Sequence, residues 1–173
     1  MKQLIAHKIS TPVGEIALAA CGGKLCVCDF DCGGFATLSR VAKRLGAQVE
    51  WGSSPVIQLA AEELSEYFQR QRRTFTVPLQ LCGTEFQQAA WTAMLRVPYG
   101  KTASYAEEAR MAGRPRALRA IGQANGCNPL AIFVPCHRIV ASDGTIGGYS
   151  GGLSRKRFLL RLESGVDELF PDE

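Results

Sequence analysis

Apolar and polar residues follow two different periods along this chain. From Gln3 to Ala20 they alternate, with Ile16, Leu18 and Ala20 in step, which is the period of a half-buried strand. Thr11-Pro12-Val13-Gly14 breaks the pattern with turn chemistry, and Gly22-Gly23-Lys24 makes a second turn before Leu25 to Phe30. Three short strands joined by tight turns predict an antiparallel meander ending at Gly33-Gly34. Phe35 to Leu45 suits a short helix with Gly46 as C-cap. Ser54-Pro55 opens another in the expected order, serine as N-cap and proline at the first position. Val56, Leu59, Ala60, Leu64, Tyr67 and Phe68 would share one face of it. Phe75, Val77, Leu79 and Leu81 alternate again as a strand, and Cys82-Gly83 reads as a linker.

After the linker the period becomes helical. Thr84 and Gln87 form a capping-box pair for a helix to about Arg96, with Phe86, Ala90, Ala93 and Met94 on one side. Pro98-Tyr99-Gly100 stops it. Ser104 and Glu107 make a second capping box for a helix ending near Gly113, Arg114-Pro115 turns the chain, and Arg116 to Gly126 forms the next helix. Two short helices joined by a glycine-containing turn are the helix-turn-helix signature. The second carries small residues, Ala117, Ala120, Gly122, Ala124 and Gly126, which either admit another surface closely or pack against neighbouring helices. Leu130 to Val134 is an apolar run read as a strand leading into Pro135-Cys136-His137-Arg138. Ser142-Asp143-Gly144 is a tight turn, Gly147 to Gly152 a glycine-rich loop, and Ser154 starts a last helix with Phe158, Leu159 and Leu162 toward the core. The acidic tail past Gly165 is expected to fray. The fold class is α+β: an α/β domain with an antiparallel sheet over 1–81, then a mostly helical domain over 82–173.

Composition narrows the function classes. With 173 residues, 46% of them hydrophobic, the chain suits one ordinary domain or two small ones. No apolar run approaches the roughly 20 residues of a membrane span, and the start turns polar too soon for a signal peptide, so a soluble cytoplasmic protein is expected. The net charge of +4 says little by itself. Its placement says more: Arg96, Lys101, Arg110, Arg114, Arg116 and Arg119 face only Glu107 and Glu108 in that stretch, and Arg155-Lys156-Arg157 with Arg161 forms a second cluster. Such patches suit a polyanion, or are simply solvated. The odd count of seven cysteines argues against a disulfide framework. Cys21, Cys26, Cys28 and Cys32 crowd together without the paired C-x2-C knuckles of zinc sites, so no metal is assigned.

Chemistry concentrates at Cys136. A thiol is nucleophilic only as thiolate, so it needs a base or a positive field. His137 adjoins it, and Glu163 is available to orient that imidazole. Neighbouring side chains point apart, which favours a bridging water between thiol and imidazole. The other histidine, His7, lies in a predicted strand.

Pro135-Cys136-His137-Arg138-Ile139 resembles the active-site motif of the O6-alkylguanine-DNA alkyltransferases. The resemblance extends in order through Phe86 to Trp91, Tyr99-Gly100, Ser104-Tyr105, Arg119 to Gly122, Asn128-Pro129, Gly144-Thr145, Gly148 to Gly152, and Leu159-Leu160 with Glu163. It is close over 84–165 and general over the first half. It implies a ribonuclease H-like first domain and a winged-helix-like second one, with DNA approached from the minor groove. Cys136 would be the alkyl acceptor, His137 would draw its proton through a water, and Glu163 would hold His137. Asn128 would brace the turn, and Tyr105 would donate to the departing guanine. Arg119 would wedge into the stack where the damaged nucleotide has left, with Arg116, Ala120, Gly122, Arg138 and Ser104 against the DNA. The backbone of Cys136 and Ile139 would accept from the guanine amino group, and Tyr149 and Ser150 would close the pocket. The implied partner is double-stranded DNA bearing alkylated guanine, bound by a monomer without cofactor. Two features depart from the family: Ala131 stands where some members have proline, opening the pocket rim, and the cysteine cluster does not match the mixed Cys/His zinc site of some members.

Three other readings compete. A non-catalytic binder of alkylated DNA would lack the acceptor cysteine, which is present. A helix-turn-helix transcription factor would read undamaged sequence. A cysteine hydrolase using Cys136, His137 and Glu163 would turn over repeatedly.

Overall fold

A computed structural model describes residues 1–30, 35–166 and 169–171. Cys32 and the expected meander end at Gly33-Gly34 lie outside the described residues, as do four residues of the acidic tail. The chain forms two compact units, Met1–Cys82 with Pro129–Phe133, and Gly83–Asn128 with Val134–Glu173.

In the first unit β1 (Lys2–Thr11), β2 (Gly14–Cys21) and β3 (Lys24–Phe30) form the expected antiparallel meander. A fourth strand, β4 (Ala47–Trp51), adds parallel to β1, so the sheet is mixed, in the order β3-β2-β1-β4. The central β2 is buried continuously from Ile16 to Ala20, as a strand covered on both faces requires. Leu4, Ala6, Ala19 and Val27 pack against Leu38, Val41 and Ala42 of α1 (Ala36–Leu45). Gly46 closes α1 in the left-handed conformation, φ 62°, that a C-cap glycine supplies without steric penalty. Ser54 caps α2 (Pro55–Phe68) by accepting from the Ile57 N–H. Ile57, Ala60, Leu64 and Tyr67 face inward, whereas Leu59, expected on that face, is exposed.

Residues 75–81 are not a strand. The N–H groups of Thr76 and Val77 donate to the buried Glu63 carboxylate at 2.8 to 3.0 Å, and Pro78 has no N–H, so the ladder cannot form. Only an isolated parallel bridge between Leu25 and Leu79 remains. The apolar run at 130–134 is likewise not a strand. Leu130 bridges Cys28, Ala131 N–H donates to the Cys28 carbonyl, and Ile132 turns the chain at φ 72°. Phe133 then packs against Phe75, the rings tilted and their centroids 4.5 Å apart. Ala131 is buried, and its N–H has a partner that a proline would forgo.

The second unit is helical around a small parallel pair. Thr84 and Gln87 form the full reciprocal capping box of α3 (Glu85–Met94). Trp91 is buried there, its indole N–H donating to the Ala124 carbonyl at 2.9 Å. A Cβ on Gly83 would meet the Trp91 ring at 2.4 Å, so the linker glycine is a packing requirement. β5 (Ala103–Ser104) pairs with β6 (Ile139–Val140) and leads into α4 (Tyr105–Met111). Ser104 caps α4 through the Glu107 N–H, without the reciprocal glutamate bond of a full box. α5 begins at Leu118 rather than Arg116 and runs to Gly126. α6 (Leu153–Ser164) buries Leu159, Leu160 and Leu162, while Phe158, expected in the core, is exposed.

Among the described residues no group of His, Cys, Asp or Glu is placed to hold a metal ion. No helix among them is long and apolar enough to cross a membrane.

Candidate active site

Pro135 leads into a single 3-10 turn, Cys136–Arg138, which continues as β6. Successive side chains of such a turn project about 120° apart, so Cys136 and His137 point in different directions. Pairing of β6 with β5 sets this turn beside the start of α4, where Tyr105 sits. Asn128, just past α5, braces it: its amide donates to the Val134 carbonyl at 2.9 Å and to Cys136 Sγ at 3.2 Å.

His137 is fully buried, with Nε2 2.7 Å from Glu163 Oε1. Arg138 grips the same carboxylate with a two-pronged fork, Nε to Oε2 and a terminal nitrogen to Oε1, both 2.9 Å. Its other terminal nitrogen donates to the Val97 carbonyl at 2.7 Å. Burial alone would raise the Glu163 pKa, but His137 and Arg138 outweigh it and hold the carboxyl at about 2. Burial lowers the His137 pKa, against the pull of Glu163. The resting imidazole is therefore neutral. A carboxylate can only accept, so the single ring proton lies on Nε2 and Nδ1 keeps a lone pair. That Nδ1 is buried with no protein partner among the described residues.

Cys136 is 7% exposed. Burial is the largest influence on its thiol and raises the pKa, while the Asn128 N–H and the Lys156 cation act the other way. Cys136 lines a cavity of about 330 Å³. α4 and α5 contribute Tyr105, Gly122, Asn125 and Gly126 to its lining, and the loop before α6 contributes Gly148, Tyr149 and Ser150. Burial raises the Tyr105 pKa as well, and its hydroxyl approaches the Gly148 carbonyl at 3.5 Å. Gly147, at φ 72°, allows this: a Cβ there would sit 3.1 Å from the Tyr105 hydroxyl.

A model of the 6-O-methylguanine DNA methyltransferase DNA-binding domain matches residues 85–165, and one of the same family's ribonuclease-like domain matches residues 4–81. The chain belongs to the 6-O-methylguanine DNA methyltransferase family. It is 41% identical over 158 residues to the methylated-DNA–protein-cysteine methyltransferase of Mycobacterium bovis, covering 90% of this chain and 89% of the relative. The constitutive enzyme of that name from Bacillus subtilis is 46% identical over 115 residues, 66% of this chain and 70% of the relative. The crystal structure of Mycobacterium tuberculosis OGT in complex with DNA superposes with a TM-score of 0.80 at 39% identity, over 93% of both chains. An α+β architecture with a ribonuclease-like first part is therefore that of the family.

The structure brings Cys136 and Tyr105 to one cavity, sets the Asn128 amide on the Cys136 sulfur, and joins His137 to Glu163. Tyr149, Ser150 and Gly122 also line it. Ile139 is buried, with its carbonyl accepting from Lys156, and the Cys136 carbonyl accepts from the Ile139 N–H. Each oxygen retains a second lone pair. Arg116 and Arg119 are exposed and Ala120 is half-buried. Ser104 serves as the α4 cap. Arg138, expected against DNA, is instead buried, its guanidinium engaged by Glu163 and Val97. Ala131, expected at the pocket rim, is not among the cavity-lining residues.

Sequence reasoning missed Lys156 by counting it in a surface patch. It is fully buried, and its Nζ donates to the carbonyls of Ile139 at 2.6 Å and Gly148 at 2.8 Å. Burial brings its pKa down to about 8, and Cys136 pulls the other way. The signal was present: Lys156 shares one α6 face with Leu159, Leu160 and Glu163 at helical spacing.

Two outcomes follow. Glu163 titrates at about 2 when folded against an ordinary 4.5, so its stabilisation is complete above 4.5 and is lost as pH falls toward 2. Glu163→Gln should lower stability at neutral pH by about 3–5 kcal/mol, because Arg138 is left buried without its anion. It should also flatten the acid limb in urea titrations between those two pH values. Lys156→Met should move the pH midpoint of Cys136 alkylation by iodoacetamide upward. An unmoved midpoint would limit Lys156 to holding the two carbonyls.

Proposed function

We propose that this protein repairs DNA by moving the alkyl group of O6-alkylguanine onto Cys136, once per molecule. The observation that carries the reading is the buried Cys136 thiol on a cavity partly lined by α5, in a site whose one neutral imidazole keeps a lone pair on Nδ1.

The steps balance without any cofactor. His137 Nδ1 takes the thiol proton through a bridging water, and the sulfur attacks the alkyl carbon. The carbon–oxygen bond breaks as the carbon–sulfur bond forms. Guanine leaves with charge on its ring, and the Tyr105 hydroxyl donates to it. The proton held on His137 then restores the phenol. The net change is one thioether and one unmodified guanine. Glu163 keeps the imidazole in the right tautomer, Asn128 fixes the sulfur, and Tyr149 and Ser150 close over O6. The carbonyls of Cys136 and Ile139 accept from the guanine amino group through their second lone pairs.

An alkylated base in duplex hides its alkyl carbon, so the nucleotide must be extruded. The exposed face of α5 suits that task. A Cβ at Gly122 or Gly126 would meet nothing within 4 Å, so these two glycines present open backbone, while Ala124 packs inward. Arg119 is exposed on this helix and would fill the gap in the stack, with Arg116 on a phosphate. Residues 82–173 would carry DNA binding and transfer, approaching from the minor groove, and 1–81 would form the companion domain. The protein would act as a cytoplasmic monomer on double-stranded DNA.

Incubation with duplex containing O6-methylguanine should add one methyl group to Cys136 by mass, with product saturating at one equivalent. Many products per protein would indicate a hydrolase, and binding without mass gain a damage-recognition protein. Arg119→Ala should slow transfer from duplex about tenfold or more while leaving transfer from free O6-benzylguanine near the wild-type rate. Equal loss on both substrates would remove the wedge role.

A further inference from the structure

Glu108 of α4 and Asn125 of α5 form a pair that the transfer mechanism does not use. Glu108 is completely buried and Asn125 is 8% exposed, and the Asn125 amide donates to Glu108 Oε2 at 2.7 Å. Among the described residues Glu108 Oε1 and Asn125 Oδ1 have no partner. Turning the amide end for end does not cure this. A protonated Glu108 would then donate to Oδ1, and the amide nitrogen would become the unpaired atom. Burial favours that protonated form, raising the Glu108 pKa to about 7 against the Asn125 hydrogen bond. Native structures rarely leave two such groups unsatisfied unless they have another task.

The position of Asn125 suggests the task. It lines the same cavity as Cys136 and Tyr105. Its neighbours on that wall, Gly122 and Gly126, carry no side chain, so Asn125 supplies the chemistry of the α5 side. We infer that Asn125, with the Glu108 carboxyl held against its amide, forms a polar subsite of the alkyl pocket, selecting O6 substituents that end in a hydroxyl, of the 2-hydroxyethyl class, over apolar chains of equal length. A hydroxyl both donates and accepts, so it satisfies Asn125 in either orientation of the amide. A propyl group offers neither donor nor acceptor, so the buried Asn125 atom stays unpaired and no hydrogen bond is gained. The inference rests on the alkyl-transfer reading and adds a substrate preference to it.

The test uses duplexes carrying O6-methyl-, O6-(2-hydroxyethyl)- or O6-n-propylguanine, with single-turnover rates read from the mass of Cys136. The wild-type protein should favour hydroxyethyl over propyl by about tenfold or more. The double variant Glu108→Leu/Asn125→Met should bring that ratio to one or below. Glu108→Gln, which keeps size and hydrogen bonding, should retain the preference and serves if the double variant fails to fold. Because Glu108 also acts on the pKa values of Tyr105 and Cys136, the ratio within each protein is decisive rather than either rate. A wild-type ratio near one overturns the subsite, as does a ratio unchanged in the double variant. Absence of methyl transfer in the wild type would instead sink the repair reading itself.

Discussion

The Glu163 carboxylate is the fixed point of the site. It binds Arg138 through both oxygens, His137 through one, and receives the Gly100 N–H at 3.5 Å. Arg138 extends the linkage to the Val97 carbonyl and lies over the Tyr99 ring at 5.8 Å. One anion thus ties α6, the Cys136–Arg138 turn and the chain just past α3 into a single arrangement. Such a buried ion pair is weak evidence for stability, because desolvating the charges offsets much of their attraction. Its value lies in orientation. With the carboxylate held ionised at neutral pH by His137 and Arg138, the imidazole proton points at it, and the opposite nitrogen keeps its lone pair.

Orientation is bought at the expense of thiol ionisation, which burial opposes. Asn128 and Lys156 act against that penalty from different directions, one by donating to the sulfur and one by its charge. Lys156 can remain a cation in the interior because two carbonyls take its protons, and the same bonds hold the Gly148 loop that forms part of the pocket. A single side chain therefore couples the shape of the cavity to the reactivity of the nucleophile. Replacing it would disturb both, and only the pH dependence of thiol chemistry separates the two effects.

Local devices were legible in the sequence because they are local. The Thr84 box, the Ser54-Pro55 start, the Gly46 cap and the Asp143 turn depend on residues within four positions of one another, and all are present. Cys136, His137 and Glu163 were legible through their order along the chain, and the contact of His137 with Glu163 is a property of the fold. What was misread required tertiary information. Alternation at 75–81 looked like a strand until Glu63, 13 residues earlier than Thr76, took its amides. β4 has the alternation of a strand but lies at a sheet edge with Val49 and Trp51 exposed, and pairs with the distant β1. Lys156 was counted in a basic patch although its helical face is apolar, and Arg138 was set against DNA, because charge alone does not report which buried acceptors the fold brings to a cation.

The same geometry bears on the proposed single use of the acceptor. In the proposed reaction alkylation would convert Cys136 into a thioether, which cannot ionise and has no proton for His137 to remove. Lys156 then faces no developing anion, and Asn128 keeps only a weak acceptor. The Glu163, Arg138 and His137 linkage is unchanged by the reaction, so nothing in it drives the sulfur back. A thioether carbon is a poor site for attack, and the described thiols include none hydrogen-bonded to Cys136 that might displace it. An arrangement that protects and orients the sulfur for one transfer provides no route for a second, so single use would be a consequence of its chemistry rather than a defect of turnover.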